Sequence, residues 1–166
     1  MPKDHSLMMS SRQGNKMIPT LTEVIKHIRD REYMSGVDRD KLRVKSTGEV
    51  FTPTPLVQEV LDRLPQELFQ DPSKTFCDPS CGDGQFLGEV IIRKIENGST
   101  LEEALSTTYG VDLMKDNVDL CRERLLCGRD DLRAIVERNI VCADSLEYDY
   151  LFGEHEHFGN GLFEFQ

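Results

Sequence analysis

The sequence predicts an α/β fold of the doubly wound class, in which helices cover both faces of a parallel sheet. Three short apolar segments with strand character, residues 75–78, 107–113 and 139–144, alternate with segments of helical periodicity. Such alternation favours right-handed crossovers between parallel strands. With 166 residues the chain has room for one such domain, which we expect to span residues 20–166 after a flexible tail, residues 1–19.

Each predicted strand carries an aspartate at its carboxyl end, and two close glycines follow the first strand. The aspartates are Asp78, Asp112 and Asp144, and the glycines are Gly82 and Gly84, in the loop that opens the next helix. Aspartate is common in turns that end strands, so one alone would mean little. Since ligands in this fold class bind beyond the carboxyl ends of the strands, the three together predict a shared binding site.

The helices are predicted from apolar residues at helical spacing and from residues that favour helix ends. The first helix begins at Thr20 and ends near Gly36, with Arg29 on its solvent side. The second follows Thr54, whose side chain can cap it. Four further helices are expected after the glycine loop and from Thr100, Met114 and Asp130.

The composition limits the classes of partner. Twenty Lys and Arg against thirty Asp and Glu give a net charge of −10, so DNA contact is expected only indirectly or with a partner. No apolar stretch reaches the length of a signal peptide or a membrane span, and the five cysteines lack paired spacing. We therefore expect a cytoplasmic protein without membrane contact. From their positions in the sequence, Cys77 is expected in the strand core and Cys81 is expected to be a small loop residue.

Two kinds of nucleotide ligand fit a glycine loop of this kind, and the carboxylates distinguish them. Gly82, Gly84 and Gly88 are spaced G-x-G-x-x-x-G, one residue longer than the dinucleotide fingerprint. The charges of Asp78 and Asp83 would also repel a pyrophosphate. S-adenosylmethionine has no phosphate, carries a sulfonium and an ammonium cation, and offers ribose hydroxyls to a carboxylate. The residues therefore favour S-adenosylmethionine as the cofactor.

Four segments resemble motifs of the amino-methylating DNA methyltransferases of the adenine-N6 type. The segment DPSCGDGQFL, residues 78–87, resembles the cofactor motif D-P-A-C-G-S-G-x-F-L, with Ser80 and Asp83 as departures. GEVFTPTPLV resembles the F-T-P element, GVDLMKDNVDLCRERL the ribose-binding strand and helix, and NIVCADSL the adenine-binding turn. Their order is that of members whose F-T-P element precedes the glycine loop, and they cover residues 46–150.

The resemblance implies an incomplete Rossmann-like methyltransferase fold and a role for each matched residue. Asp112 would accept hydrogen bonds from the ribose, Asp144 would hold the adenine, and the F-T-P element would line the methionine end with Asp78. The cofactor-binding residues implied are Phe51, Thr52, Pro53, Asp78, Pro79, Ser80, Cys81, Gly82, Gly84, Phe86, Asp112, Leu113, Asp144 and Ser145.

The catalytic element of that family, N-P-P-Y or D-P-P-Y after a fourth strand, is absent, since no proline follows Pro79. We therefore assign no catalytic residue and expect methyl transfer to a base amino group only if a partner or a longer chain completes the site. His155 and His157 have no third ligand at suitable spacing, so no metal site is assigned. Two alternatives remain open: a non-catalytic protein that binds S-adenosylmethionine, and an acidic interaction module that keeps only the fold.

The expected strand order, 3-2-1, places the strand of Asp78 at an edge of the sheet. An open edge offers unpaired N–H and C=O groups to another chain. The short alternating segment Gly161 to Phe165 is a weak candidate for covering it. We therefore expect the chain to self-associate or to bind a partner chain at this edge.

Overall fold

The computed structural model describes residues 18–30 and 52–153 of the chain. In this part of the chain three parallel strands form one sheet flanked by helices, which confirms the predicted α/β class. In chain order the elements are α1 (Leu21–Arg29), α2 (Thr54–Asp62), α3 (Glu67–Gln70), β1 (Phe76–Asp78), α4 (Gln85–Glu96), α5 (Leu101–Ser106), β2 (Thr108–Asp112), α6 (Lys115–Leu126), a 3-10 turn (Asp130–Leu132), α7 (Arg133–Asn139) and β3 (Ile140–Cys142). The predictions for Phe51, His155, His157 and residues 161–165 fall outside the described residues.

The strand β2 lies between β1 and β3, and both pairings are parallel. Asp78 is in register with Gly110, and Asp112 is in register with Cys142. This is the predicted order 3-2-1. Within the described ranges β1 is therefore an edge strand, so one side of its backbone has no neighbouring strand.

The face of β1 that Cys77 occupies is open to solvent, and the prediction that Cys77 lies in the strand core is wrong. Side chains alternate between the two faces of a strand, so Phe76 points to one face and Cys77 to the other. Phe76 packs against the apolar cluster of α2, α3 and α4, whereas Cys77 is exposed. Cys81 does lie in the loop, yet it is buried in the core at 4% exposure.

The core consists of two apolar clusters, and α4 contributes to both. Leu87 and Ile91 belong to the cluster that also contains Leu125 of α6. Val90 belongs to the second cluster, together with Phe69 of α3. Because α4 is packed on two sides, its amino end holds the last residues of the glycine loop in a fixed position.

The amino end of α1 follows the sequence pattern, but its carboxyl end does not. Thr20 and Glu23 form a reciprocal capping box at the start of the helix. The helix ends at Arg29 instead of near Gly36. Arg29 lies on the exposed side of the helix as predicted, yet its guanidinium makes two hydrogen bonds of 2.8 Å to the buried carboxylate of Glu89 on α4. The charged side chain thus joins α1 to α4.

Candidate functional site

Backbone hydrogen bonds join the loops that follow β1 and β3 to the carboxyl end of β2. The Cys81 N–H donates to the Val111 carbonyl over 3.0 Å, which ties the glycine loop to β2. The Ala143 N–H donates to the Asp112 carbonyl over 3.0 Å, which ties the turn after β3 to β2. The three segments that carry the predicted site residues therefore meet at one edge of the sheet.

The glycine loop depends on two residues in the left-handed region. Gly82 has φ +53° and Gly84 has φ +87°, and Gly84 is the N-cap of α4. A Cβ atom on Gly84 would lie 2.7 Å from the Sγ of Cys121, whereas a Cβ on Gly82 would meet no atom within 4 Å. Gly84 is thus required both by its dihedral angle and by the close approach of α6.

The carboxylate of Asp112 holds the glycine loop and the start of α6 in place. Its Oδ2 accepts from the Gly82 N–H over 3.0 Å. Its Oδ1 accepts from the Met114 N–H over 2.9 Å and from the Asn117 side chain over 3.3 Å. A carboxylate has about four acceptor positions, so three protein donors leave room for one hydroxyl donor of a ligand. The sequence did not reveal this structural role.

Asp78 lies half-buried at the end of β1, where its Oδ1 accepts from the Ser80 N–H over 3.0 Å. Burial raises the pKa of the Asp78 carboxyl; the Ser80 hydrogen bond opposes the rise, and the negative charge of Asp112 adds to it. The two carboxylates are thus close enough to repel each other. A cation bound beside Asp78 would favour its ionised form.

Asp144 is exposed in the turn after β3. Its Oδ1 accepts from the Leu146 N–H over 2.9 Å, and its backbone carbonyl accepts from the N–H groups of Glu147 and Tyr148. The carbonyl of Ser145 accepts from the Tyr150 hydroxyl over 2.8 Å. These bonds shape the turn and leave the Oδ2 of Asp144 facing no donor among the described residues.

The other predicted cofactor-binding residues differ in exposure. Leu113 is 63% exposed directly after Asp112, an apolar side chain next to the strand ends. Phe86, the second residue of α4, is partly buried against the cluster that contains Phe69. Pro79 and Ser80 are exposed.

The described part of the F-T-P element begins with Thr52, which is half-buried, and Pro53, which is exposed. Pro53 is the N-cap residue of α2, and no side chain caps this helix, so the predicted capping by Thr54 is wrong. Thr54 is instead the first residue of the helix, followed by Pro55. α2 packs on α4 through Val57, which sets the element beside the helix that the glycine loop opens.

Two buried cysteines pack beside the loop. The Cys121 thiol hydrogen-bonds the Cys81 thiol, and this bond together with burial raises the pKa of Cys81 far above its ordinary value. A thiol held protonated is a poor nucleophile. Cys81 is therefore a packing residue, which contributes its backbone and its volume to the candidate site.

Sequence reasoning missed the partner of Asp83. This residue is 1% exposed, and its Oδ1 accepts from Arg124 Nη1 of α6 over 3.3 Å, while its carbonyl accepts from the same nitrogen over 3.1 Å. A signal was present, because Arg124 follows Cys121 by three residues and so falls on the buried face of α6. A basic residue on an apolar face requires an acidic or carbonyl partner.

Two other clefts on the described surface are not lined by any of the three strand-end aspartates. One of about 300 Å³ between α1, α2 and α4 is lined by side chains that pair with one another, including Arg29, Glu89 and Arg93 with Asp62. Another, of about 510 Å³, lies between Pro19, His27 and Gly128. Within the described ranges no group of three or more His, Cys, Asp or Glu side chains is arranged to hold a metal ion.

Comparison with known proteins agrees with the motifs. The model of the N-6 DNA methylase family matches residues 40–158. The chain is 31% identical over 105 residues to the Type II methyltransferase M.VspI of Vibrio sp. (strain 343), a match that covers 62% of this chain and 22% of that protein. The chain thus spans about a fifth of the length of this relative. No solved structure matches the chain significantly. The family match extends over more than half of the sequence and confirms the resemblance seen in the motifs: the chain belongs to the N-6 DNA methylase family.

Proposed function

We propose that this chain binds S-adenosylmethionine at the carboxyl ends of its strands. One observation carries the proposal: within the described residues, no lysine, arginine or histidine forms an ion pair with Asp78, Asp112 or Asp144. The same part of the chain pairs many of its other acidic side chains with arginine or lysine. Neighbouring carboxylates without a cation suit a ligand that brings its own positive charges, as the sulfonium and ammonium groups do.

The donors and acceptors of the site fit the parts of this cofactor. Asp78 and the loop around Gly82 suit the cationic methionine end, and Thr52 and Pro53 lie on the element that packs beside α4. The remaining acceptor position of Asp112 suits a ribose hydroxyl. Asp144 has an oxygen available for an adenine amino group, and the exposed Leu113 offers apolar surface to the ring.

We further propose that the bound cofactor donates its methyl group to the amino group of adenine in DNA, the reaction for which the family is named. The residues assigned here bind and orient the cofactor. The groups that would hold a flipped base and accept its amino protons are expected from a partner or from further chain. DNA contact would also come from there, because the net charge of −10 disfavours binding to a phosphate backbone.

Isothermal calorimetry tests the cofactor proposal directly. The chain is expected to bind S-adenosylmethionine with a stoichiometry of one, to bind adenosine more weakly, and to show no heat with NAD. Binding of NAD in preference to S-adenosylmethionine would contradict the argument from charge. No binding of either would favour the alternative of an acidic interaction module, and binding without methyl transfer in any assembly would favour a non-catalytic binding protein.

Asp78→Asn is expected to weaken S-adenosylmethionine binding while making the ligand-free protein more stable at neutral pH. Because burial raises the pKa of folded Asp78, ionising this carboxyl destabilises the fold as pH rises through that pKa. The amide removes the charge and keeps an oxygen that can accept from the Ser80 N–H. Binding should lose about 1–3 kcal/mol, the usual contribution of a hydrogen bond to a charged group.

The measurement is a pair of curves, affinity by calorimetry and unfolding free energy by urea denaturation, each taken from pH 4 to pH 8. The parent should lose affinity as pH falls through the raised pKa of Asp78, whereas Asp78→Asn should show a flatter profile. The gain in stability of the variant should vanish at the acid end. A variant that is less stable than the parent at pH 7 would refute the expected gain in stability. Parental affinity in the variant would refute the expected role of Asp78 in binding.

We propose that the open edge of β1 is a contact surface for a second copy or for a partner chain. Leu56 and Val60, one turn apart on α2, are 49% and 40% exposed, so apolar surface also remains open on the helix next to β1. Sedimentation at micromolar concentration is expected to show self-association of the isolated chain, or a complex once the partner is added. A strictly monomeric protein that melts cooperatively, and whose truncation after Asp149 changes neither property, would refute the proposal.

Among the described residues no helix is both long enough and apolar enough to cross a membrane. All five cysteines are free, in agreement with the odd number and unpaired spacing seen in the sequence. We propose a cytoplasmic location, where reduced thiols and DNA substrates are both expected.

A further inference from the structure

Arg124 is a buried arginine whose three hydrogen bonds connect α6 to α1 and to the glycine loop. The residue is 2% exposed. Its Nε donates to the Ile28 carbonyl near the end of α1 over 3.1 Å. Its Nη1 donates to the carbonyl of Asp83 over 3.1 Å and to the Oδ1 of Asp83 over 3.3 Å. One planar guanidinium thus sets the distance between a helix end and the loop.

The anchor on α1 is itself firmly placed. A Cβ atom on Gly88 would lie 2.7 Å from Cγ2 of Ile28, so α1 and α4 are in close contact at this point. Arg29, the next residue on α1, is bound to Glu89 on α4. The Ile28 carbonyl is therefore a fixed point from which Arg124 can hold the loop.

The loop is held from two opposite sides of the site. On the side of the strand ends the Gly82 N–H donates to Asp112, and on the helix side Asp83 accepts from Arg124. The carboxylate of Asp83 is 1% exposed and paired, so its charge is balanced inside the protein and does not add to that of Asp78 and Asp112. Gly82 and Asp83 are adjacent in the loop but bind different partners, Asp112 and Arg124.

We propose that Arg124 is a positioning residue of the cofactor site, which acts through Asp83 and sets the orientation of the Gly82 to Gly84 backbone toward the ligand. Asp83, although it lies inside the cofactor motif, does not contact the cofactor. This proposal rests on the proposed binding of S-adenosylmethionine. It implies that α1 and α6, which carry none of the predicted cofactor-binding residues, help to position the glycine loop.

Arg124→Lys tests the proposal, since lysine keeps the charge but lacks the planar fork that reaches Ile28 and Asp83 together. The matched control is Arg122→Lys on the same helix, because Arg122 also donates to backbone carbonyls, those of Ile140 and Glu137, away from the loop. Two quantities are measured: amide hydrogen exchange of residues 81–84 in the ligand-free chain, and calorimetric affinity for S-adenosylmethionine and for adenosine.

In Arg124→Lys we expect exchange of the loop amides to accelerate about tenfold and S-adenosylmethionine affinity to fall about tenfold, the equivalent of one charged hydrogen bond. Adenosine affinity should change by less than about threefold, because adenosine lacks the methionine end that faces the loop. Arg122→Lys should change none of these. Equal effects of the two substitutions, or parental exchange and affinity in Arg124→Lys, would overturn the proposal.

A second variant decides the case if Arg124→Lys does not fold. Asp83→Asn combined with Arg124→Met removes both buried charges together, which is tolerated better than the loss of one partner. This double variant should fold and show the same faster exchange of the loop amides. If the parent chain binds no S-adenosylmethionine, the proposed function fails, yet the exchange rates still decide whether Arg124 holds the loop.

Discussion

Replacing Gly84 with valine is expected to abolish S-adenosylmethionine binding and to destabilise the fold by about 2–5 kcal/mol, the sum of a left-handed dihedral and an overpacked core position. Gly84 has φ +87°, which a β-branched residue adopts only under strain. Its Cβ would lie 2.7 Å from the Cys121 Sγ, so either the loop or α6 must move. Because Gly84 is the N-cap of α4, any movement displaces the backbone that we propose faces the ligand.

Gly128→Val is the matched control for this substitution. Gly128 has φ +76°, nearly the same dihedral, but a Cβ there would meet nothing within 4 Å, and the residue lies at the far end of α6. This variant should lose stability through backbone strain alone and keep parental affinity for the cofactor. Calorimetry and urea denaturation on both variants separate the two effects. Parental affinity in Gly84→Val would show that the loop is not the binding backbone.

Removing the sulfur that Gly84 faces provides a further check. Cys121→Ala combined with Gly84→Ala relieves the steric contact and leaves only the dihedral strain. The double variant should therefore bind more tightly than Gly84→Ala alone. A double variant that binds no better would mean that the dihedral angle, and not the contact with α6, fixes the identity of this residue.

Much of the fold follows from local patterns in the sequence. Strand and helix periodicity predicted the order of the elements except for the short helix α3. The reciprocal capping of Thr100 by Glu103 was predicted from their spacing and is present in the structure. The glycine loop between β1 and α4 was equally clear. These features depend on residues within a few positions of one another, so the sequence alone carries the information.

The features that the sequence did not reveal depend on contacts between distant segments. Arg124 and Asp83 are 41 residues apart, and Arg29 and Glu89 are 60 apart, so no local pattern predicts either pair. Each pair joins two helices, or a helix and the glycine loop, through a buried carboxylate, that of Glu89 or of Asp83. The prediction for Cys77 was wrong for a related reason, since the exposure of this side chain depends on which elements cover one face of the sheet.

Asp112 shows how a site residue can be predicted correctly in place yet incompletely in role. Its position at the end of β2 follows from the strand pattern, and a role in ribose binding follows from its carboxylate. The structure adds three protein donors, from Gly82, Met114 and Asn117. If Asp112 binds the ribose as proposed and also organises the loop, its substitution should have a larger effect than the loss of either role alone.

Asp112→Ala is therefore expected to lose S-adenosylmethionine binding by more than the 1–3 kcal/mol of a single charged hydrogen bond, about 3 kcal/mol or greater, because the loop loses its anchor as well. Stability should also fall, since the Gly82 and Met114 N–H groups lose their acceptor. Asp144→Ala is the matched control, a strand-end aspartate that is exposed and accepts one protein hydrogen bond, from the Leu146 N–H. It should lose less affinity and almost no stability.

Loop exchange distinguishes the two roles of Asp112. In the ligand-free chain Asp112→Ala should accelerate amide exchange at Gly82, whereas Asp144→Ala should not, because only Asp112 accepts from that N–H. Asp112→Asn should fall between parent and alanine, since one amide oxygen can replace one carboxylate oxygen but its NH₂ group cannot accept. Parental affinity in Asp112→Ala with faster loop exchange would leave Asp112 as an anchor only, and would place the ribose elsewhere.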